Sequence, residues 1–226
     1  MFPLKDNNPT RNFPIITVML ILINVAVFFY TDFLGLAGDD FYLKFTVIPV
    51  NVVSLGNATS QGPVQAMESL LTSQFLHGGL LHIVGNMLFL WIFGNNVEDK
   101  FGKIFFLFFY LTCGVVAAWA QILGDPSSQI PMLGASGAVA GVMGAYLMMF
   151  PRAEVLTLFW IIIFIRLIWL PAYVIIIFWV VLQVINQFFF TPQGSGVAYL
   201  AHIGGFASGI GFYFIYRLFR NIAGKE

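Results

Sequence analysis

The sequence predicts an all-α membrane protein of six membrane-spanning helices with both termini cytoplasmic. Three observations predict it. Hydrophobic residues make up 59% of the 226-residue chain and charged residues 9%, where a soluble domain carries about 25% charged residues. Mean hydropathy is +0.89, and the apolar residues gather into runs suited to crossing about 30 Å of hydrocarbon. The cations fall almost entirely on one side of the topology that these runs define.

Residues 1–13 are polar and carry Lys5 and Arg11. Residues 14–30 form the first span. Gly35-Leu36-Ala37 has the small-x-small form of a signal-peptide cleavage site, but the apolar run before it is long for a signal-peptide core, so it is kept as a span. Residues 31–73 carry Asp32, Asp39, Asp40 and Glu68 against Lys44 alone. Their apolar patches are too short to cross and suit a loop lying along the membrane surface. The second span, 75–97, ends at Glu98-Asp99-Lys100, and the third covers 101–123. After the turn at 124–128 comes a short fourth span, 136–150, stopped by Pro151-Arg152. The run 155–190 is too long for one span and is broken by Pro171. The last span is 197–216.

The cations decide how the long run divides. With one span at 171–188 and residues 154–170 at the interface, Lys5, Arg11, Lys100, Lys103, Arg152, Arg166, Arg217, Arg220 and Lys225 share a side. Only Lys44 falls on the other, as the positive-inside rule requires. Two spans in that run would carry the C-terminal basic cluster across. Residues 1–226 are therefore read as one multi-pass domain, integral to a bacterial cytoplasmic (inner) membrane. A net charge of zero gives no basic footprint for nucleic acid. The single cysteine, Cys113, cannot form an intrachain disulfide, and no Cys/His spacing suggests a zinc site, so no metal or cofactor is expected.

Polar residues inside a bilayer need partners and are the place to look for chemistry. The stretch 134–141 reads GASGAVAG. Alone, it suits close helix packing as well as it suits a nucleophile at a helix N-terminus. His82 and Asn86 share a face of the second span, four residues apart. His202 lies on the sixth. From Ser136 to Arg152, from His82 to Glu98 and from His202 to Arg217 is about 15–16 residues, or roughly 22–24 Å of helix. That depth sets all three polar sites at one level, some 6–8 Å below the outer surface of a ~30 Å core. Gly137, Gly141 and Ala145 form one small-residue stripe, and Gly205 and Gly209 form another. Such stripes let two backbones approach closely, as a serine and a histidine on different helices require. A transporter would place polar residues in both halves of the membrane; here they cluster in the outer half.

Together these motifs resemble the rhomboid intramembrane serine proteases. The resemblance rests on Gly134-Ala135-Ser136-Gly137, on His82-xxx-Asn86 within the stretch 77–86, on Ala201-His202-xx-Gly205-xxx-Gly209, and on 93–99, FGNNVED. It covers residues 72–216. It implies a six-helix bundle and a Ser–His dyad that cleaves membrane-anchored proteins in or near their transmembrane helix. Ser136 would be the nucleophile and His202 the base. The Ser136 amide, His82 and Asn86 would hold the oxyanion. His77, Gly134, Gly137, Gly205 and Gly209 would support the site. Transmembrane substrates and lipid would be the partners, with no cofactor. Relatives that only bind transmembrane helices usually lack the serine or the histidine; both are present here. One departure stands out. Some family members stack an aromatic residue, four after the serine, beneath the histidine; here that residue is Ala140. Residues 188–197, with Pro192, Gly194 and Gly196, read as a mobile outer cap beside the site.

Overall fold

The computed structural model describes residues 2–58, 61–161, 164–190 and 197–222. The first helix, α1 (Ile15–Phe28), is extended by a π-helical turn to Phe33. Three short helices follow where the surface loop is expected: α2 (Asp39–Phe45), α3 (Pro49–Val53) and α4 (Pro63–Thr72). Then come α5 (Leu80–Phe101), α6 (Lys103–Gly124) and α7 (Ser136–Met149). The chain finishes with α8 (Ala172–Ile185), extended by a second π-helical turn to Phe190, and α9 (Tyr199–Ile222).

The all-α expectation is corrected by a three-stranded antiparallel sheet. Strand β1 (Phe2–Asp6) pairs with β2 (Glu154–Ile161), which pairs with β3 (Phe164–Pro171). The sequence hides it because a continuous apolar run has neither the helical nor the strand period. The run is rich in β-branched and aromatic residues, which fit a pleated surface. Its partner β1 sits in a segment that reads as a polar tail. The helix of the second expected span begins at Leu80. Gly79, at φ +151°, interrupts the chain before Leu80, so residues 75–79 form a turn and loop. The expected outer cap at 188–197 lies mostly outside the described residues.

Helix α7 is the centre. Every residue from Gly137 to Tyr146 is buried, so it shows no polar face. Its closest neighbour is α9, and glycines explain why. A Cβ on Gly205 would strike the Gly137 carbonyl, and one on Gly209 the Gly141 carbonyl. Four described helices, with their extensions, are long and apolar enough to cross a membrane: Ile15–Phe33, α5, α6 and Ala172–Phe190. Helix α7 is apolar but short. Helix α9 is diluted by the glycines of this contact and by His202.

The end of the bundle opposite Ser136 is tied by polar contacts from α5. Buried Glu98 accepts hydrogen bonds from the Ile16 amide (3.0 Å), the Thr17 amide (2.7 Å) and Thr17 Oγ1 (2.8 Å). A carboxylate thus satisfies the otherwise unpaired first-turn donors of α1. Asp99 accepts from the amides of Arg11 and Asn12. Tyr146, at the far end of α7, donates to Asp6 Oδ2 at 2.8 Å. Tyr216 of α9 donates to the Lys100 carbonyl at 2.6 Å. The N-terminal segment and the C-terminal half of α9 therefore meet at one end of the bundle.

Candidate active site

Ser136 is the first residue of α7. Gly134, at φ +124°, turns the chain into the helix, and its amide donates to the Ser73 carbonyl at 2.9 Å. A side chain at 134 is barred on two counts. The φ suits only glycine, and a Cβ would come within 2.8 Å of the His82 ring and 3.7 Å of Asn86 Nδ2. The same measurement brings His82 and Asn86 of α5 against the backbone just before Ser136.

His202 lies in the first turn of α9. The amide of its neighbour Ala201, without an acceptor in its own helix, donates to Gln121 Oε1 of α6 at 3.3 Å. This ties the start of α9 to α6. Ser136 Oγ and His202 Nε2 are 2.8 Å apart. From that separation an imidazole nitrogen can take a hydroxyl proton. The two residues share a cavity of about 780 Å³ with His82 and Asn86; Val139, Met143 and Phe89 give it an apolar wall.

Asn86 Nδ2 is buried and donates to no group among the described residues. A buried donor without a partner is costly, on the order of 1–3 kcal/mol, and such groups are rare in folded proteins. Asn86 lines the same cavity as Ser136, where the amides of the first turn of α7 also lack intrahelical acceptors. An anionic oxygen formed at Ser136 would meet these donors.

His77 is fully buried outside this cavity, its ring edge-on to His82 with centroids 5.1 Å apart. It packs the ring of His82 from behind. Gly137, Gly205 and Gly209 lie in the α7–α9 contact, not on the cavity wall.

Two contacts from α8 reach His202 from residues that the sequence motifs do not name. Gln183 Oε1 of α8 is 2.8 Å from His202 Nδ1. The ring of Trp179, one turn earlier on α8, lies 5.6 Å from the His202 ring at an interplanar angle of 39°. The aromatic neighbour missing at Ala140 is thus supplied by another helix. The signal was present in the sequence: a glutamine deep in an apolar run is costly without a partner.

A family model for the Rhomboid domain matches residues 65–219. Over 78 residues the chain is 41% identical to "Rhomboid protease GluP" of Bacillus subtilis, a match covering 34% of this chain and 15% of that protein. Over 156 residues it is 27% identical to "Putative rhomboid protease YdcA" of the same organism, covering 66% and 70% of the two. Over 158 residues it is 31% identical to "RHOMBOID-like protein 12, mitochondrial" of Arabidopsis thaliana, covering 62% and 44%. The chain thus spans less than half the length of GluP and of the plant protein. Since bacterial and mitochondrial proteins both match, the similarity does not select a bacterial inner membrane.

Proposed function

The chain belongs to the rhomboid family, and from that premise we propose that it is an intramembrane serine endopeptidase acting on membrane-anchored proteins. The observation that carries the reading is the 2.8 Å contact of Ser136 Oγ with His202 Nε2, in a cavity shared with Asn86, whose Nδ2 donates to no group among the described residues. Ser136 Oγ attacks the scissile carbonyl carbon as its proton passes to His202 Nε2. The oxyanion forms against the Ser136 amide, His82 and Asn86. Collapse of the adduct breaks the C–N bond, and the leaving amine takes the proton from His202. Water, activated by the same imidazole, then hydrolyses the acyl ester. Peptide bonds in a helix are protected by their own hydrogen bonds, so the substrate unwinds locally. Small or helix-breaking residues near the cleaved bond favour this.

The reading includes six crossings, with α7 and α9 added to the four long apolar helices and both termini cytoplasmic. The positive-inside rule supports it, as does the gathering of the N-terminal segment and the α9 C-terminus at the end away from Ser136. The site then opens toward the outer side.

The test is cleavage of a tagged single-span membrane protein by the purified chain in liposomes. Wild type is expected to cleave. His202→Ala is expected to lose at least about 1000-fold in kcat while keeping its thermal midpoint; full activity in that variant would rule out the dyad. Asn86→Ala is expected to lose only about 10–1000-fold, because other oxyanion donors remain. A kcat within twofold of wild type would remove Asn86 from the oxyanion site.

A further inference from the structure

We propose that Gln183 is a positioning residue that sets the tautomer of His202, giving the dyad a neutral third member. The inference rests on the serine-protease reading for its role and on hydrogen-bond direction for its substance. The Gln183 side chain is 8% exposed, so its amide must find partners inside the protein. Its Nε2 donates to the Trp179 carbonyl at 3.1 Å. A carbonyl oxygen only accepts, so the NH2 group must point toward Trp179 and Oε1 toward His202. Flipping the amide would set two acceptors against each other and aim the NH2 at the ring. Oε1 also only accepts, so at 2.8 Å from His202 Nδ1 it requires a proton on Nδ1. In a neutral imidazole the lone pair is then on Nε2, the nitrogen facing Ser136 Oγ at 2.8 Å. The backbone of α8 thereby dictates, through one amide, which nitrogen of His202 is the base.

A glutamine suits the place. A carboxylate there would set a charge among apolar residues, whereas the amide offers an acceptor without one. As the imidazole gains its second proton, Oε1 keeps its bond to Nδ1–H, and the positive ring is stabilised without rearrangement. Trp179 and Gln183 are four residues apart on one face of α8, so one helix supplies both the flat neighbour and the acceptor. The titratable groups facing His202 are His82 from α5 and Tyr199 from its own helix, whose ring is edge-on at 6.3 Å. Neither offers Nδ1 an acceptor as Gln183 does.

The experiment compares wild type with Gln183→Leu, Gln183→Asn and Gln183→Glu, each as the full chain in detergent. 15N spectra of histidine-labelled protein report the His202 tautomer directly, and kcat and KM are measured against pH. Wild type is expected to hold one tautomer, protonated at Nδ1. Gln183→Leu removes the acceptor and Gln183→Asn withdraws it by one methylene. Both are expected to show mixed tautomers and a kcat lowered about 10–100-fold, with KM within twofold and the acid limb of kcat/KM moved to lower pH. Gln183→Glu keeps an acceptor toward Nδ1 and is expected to retain at least a tenth of wild-type kcat, which simple loss of packing would not predict. A wild-type ring protonated at Nε2 overturns the proposal, as does an unchanged spectrum and kcat in both Leu and Asn variants. If wild type neither cleaves nor reacts with a fluorophosphonate, the protease reading fails, and the 15N spectra still decide what Gln183 does to His202.

Discussion

Replacing Ser136 by alanine is expected to abolish both labelling by a serine-reactive fluorophosphonate and cleavage of a transmembrane substrate. The hydroxyl is the only atom removed, and it is the atom that forms the covalent bond. Loss of a serine nucleophile typically costs on the order of 10⁶-fold in kcat, which puts residual turnover below detection. Stability should barely change. Ser136 is half-buried, and the variant gives up one hydrogen bond, worth about 1 kcal/mol. In-gel fluorescence after labelling and a melting curve in the same detergent separate the two effects. Labelling that persists in the variant would show that another nucleophile reacts. The lone cysteine, Cys113, is buried, so it does not compete.

Gly205→Ala is expected to lower cleavage by about 100-fold or more, although residue 205 touches no reacting atom. Its added Cβ would strike the Gly137 carbonyl and come within 3.3 Å of the Ala117 Cβ. Backbone cannot rotate aside as a side chain can, so α9 must move away from α7. His202 is one turn earlier on the same helix and moves with it. A misplacement of about 1 Å at a reacting pair costs roughly 100-fold. Overpacking should also lower stability by about 1–3 kcal/mol, seen as a lower thermal midpoint. Gly211→Ala is the control. Nothing lies within 4 Å of a Cβ there, so activity and midpoint should match wild type. An active Gly205→Ala would mean that α9 can shift without disturbing His202.

That Ser136, His82, Asn86 and His202 come together was more legible than the fold around them. Counting residues along helices to the charged stops at Glu98, Arg152 and Arg217 put Ser136, His82, Asn86 and His202 at one expected level, because helical rise is fixed. The glycine stripes could be paired because nothing but close packing accounts for them. The sheet was illegible for a physical reason. Its apolar hairpin has no period to read, and its third strand is far away in sequence, at Phe2–Asp6. Gln183 was passed over because one amide in an apolar run resembles a tolerated impurity. Its significance depends on which residue of α9 faces it, and spacing within α8 does not reveal that. Glu98 likewise reads as the charged end of a span, whereas it caps the start of α1 from a distance.

The capping of α1 by Glu98 also constrains the order in which a growing chain can become native. Helix α1 is made before α5, yet the acceptor for its Thr17 amide is on α5, 81 residues downstream. Asp6 waits for Tyr146, 140 residues later, and β1 waits for the hairpin beyond it. During synthesis, the opening segment therefore emerges with its donors and strand edge held by water. It closes onto the bundle after α5, α7 and β2 have arrived, a long-range step of the kind that slows folding. These residues are made before their partners and settle after them, and they seal the end of the molecule opposite its serine.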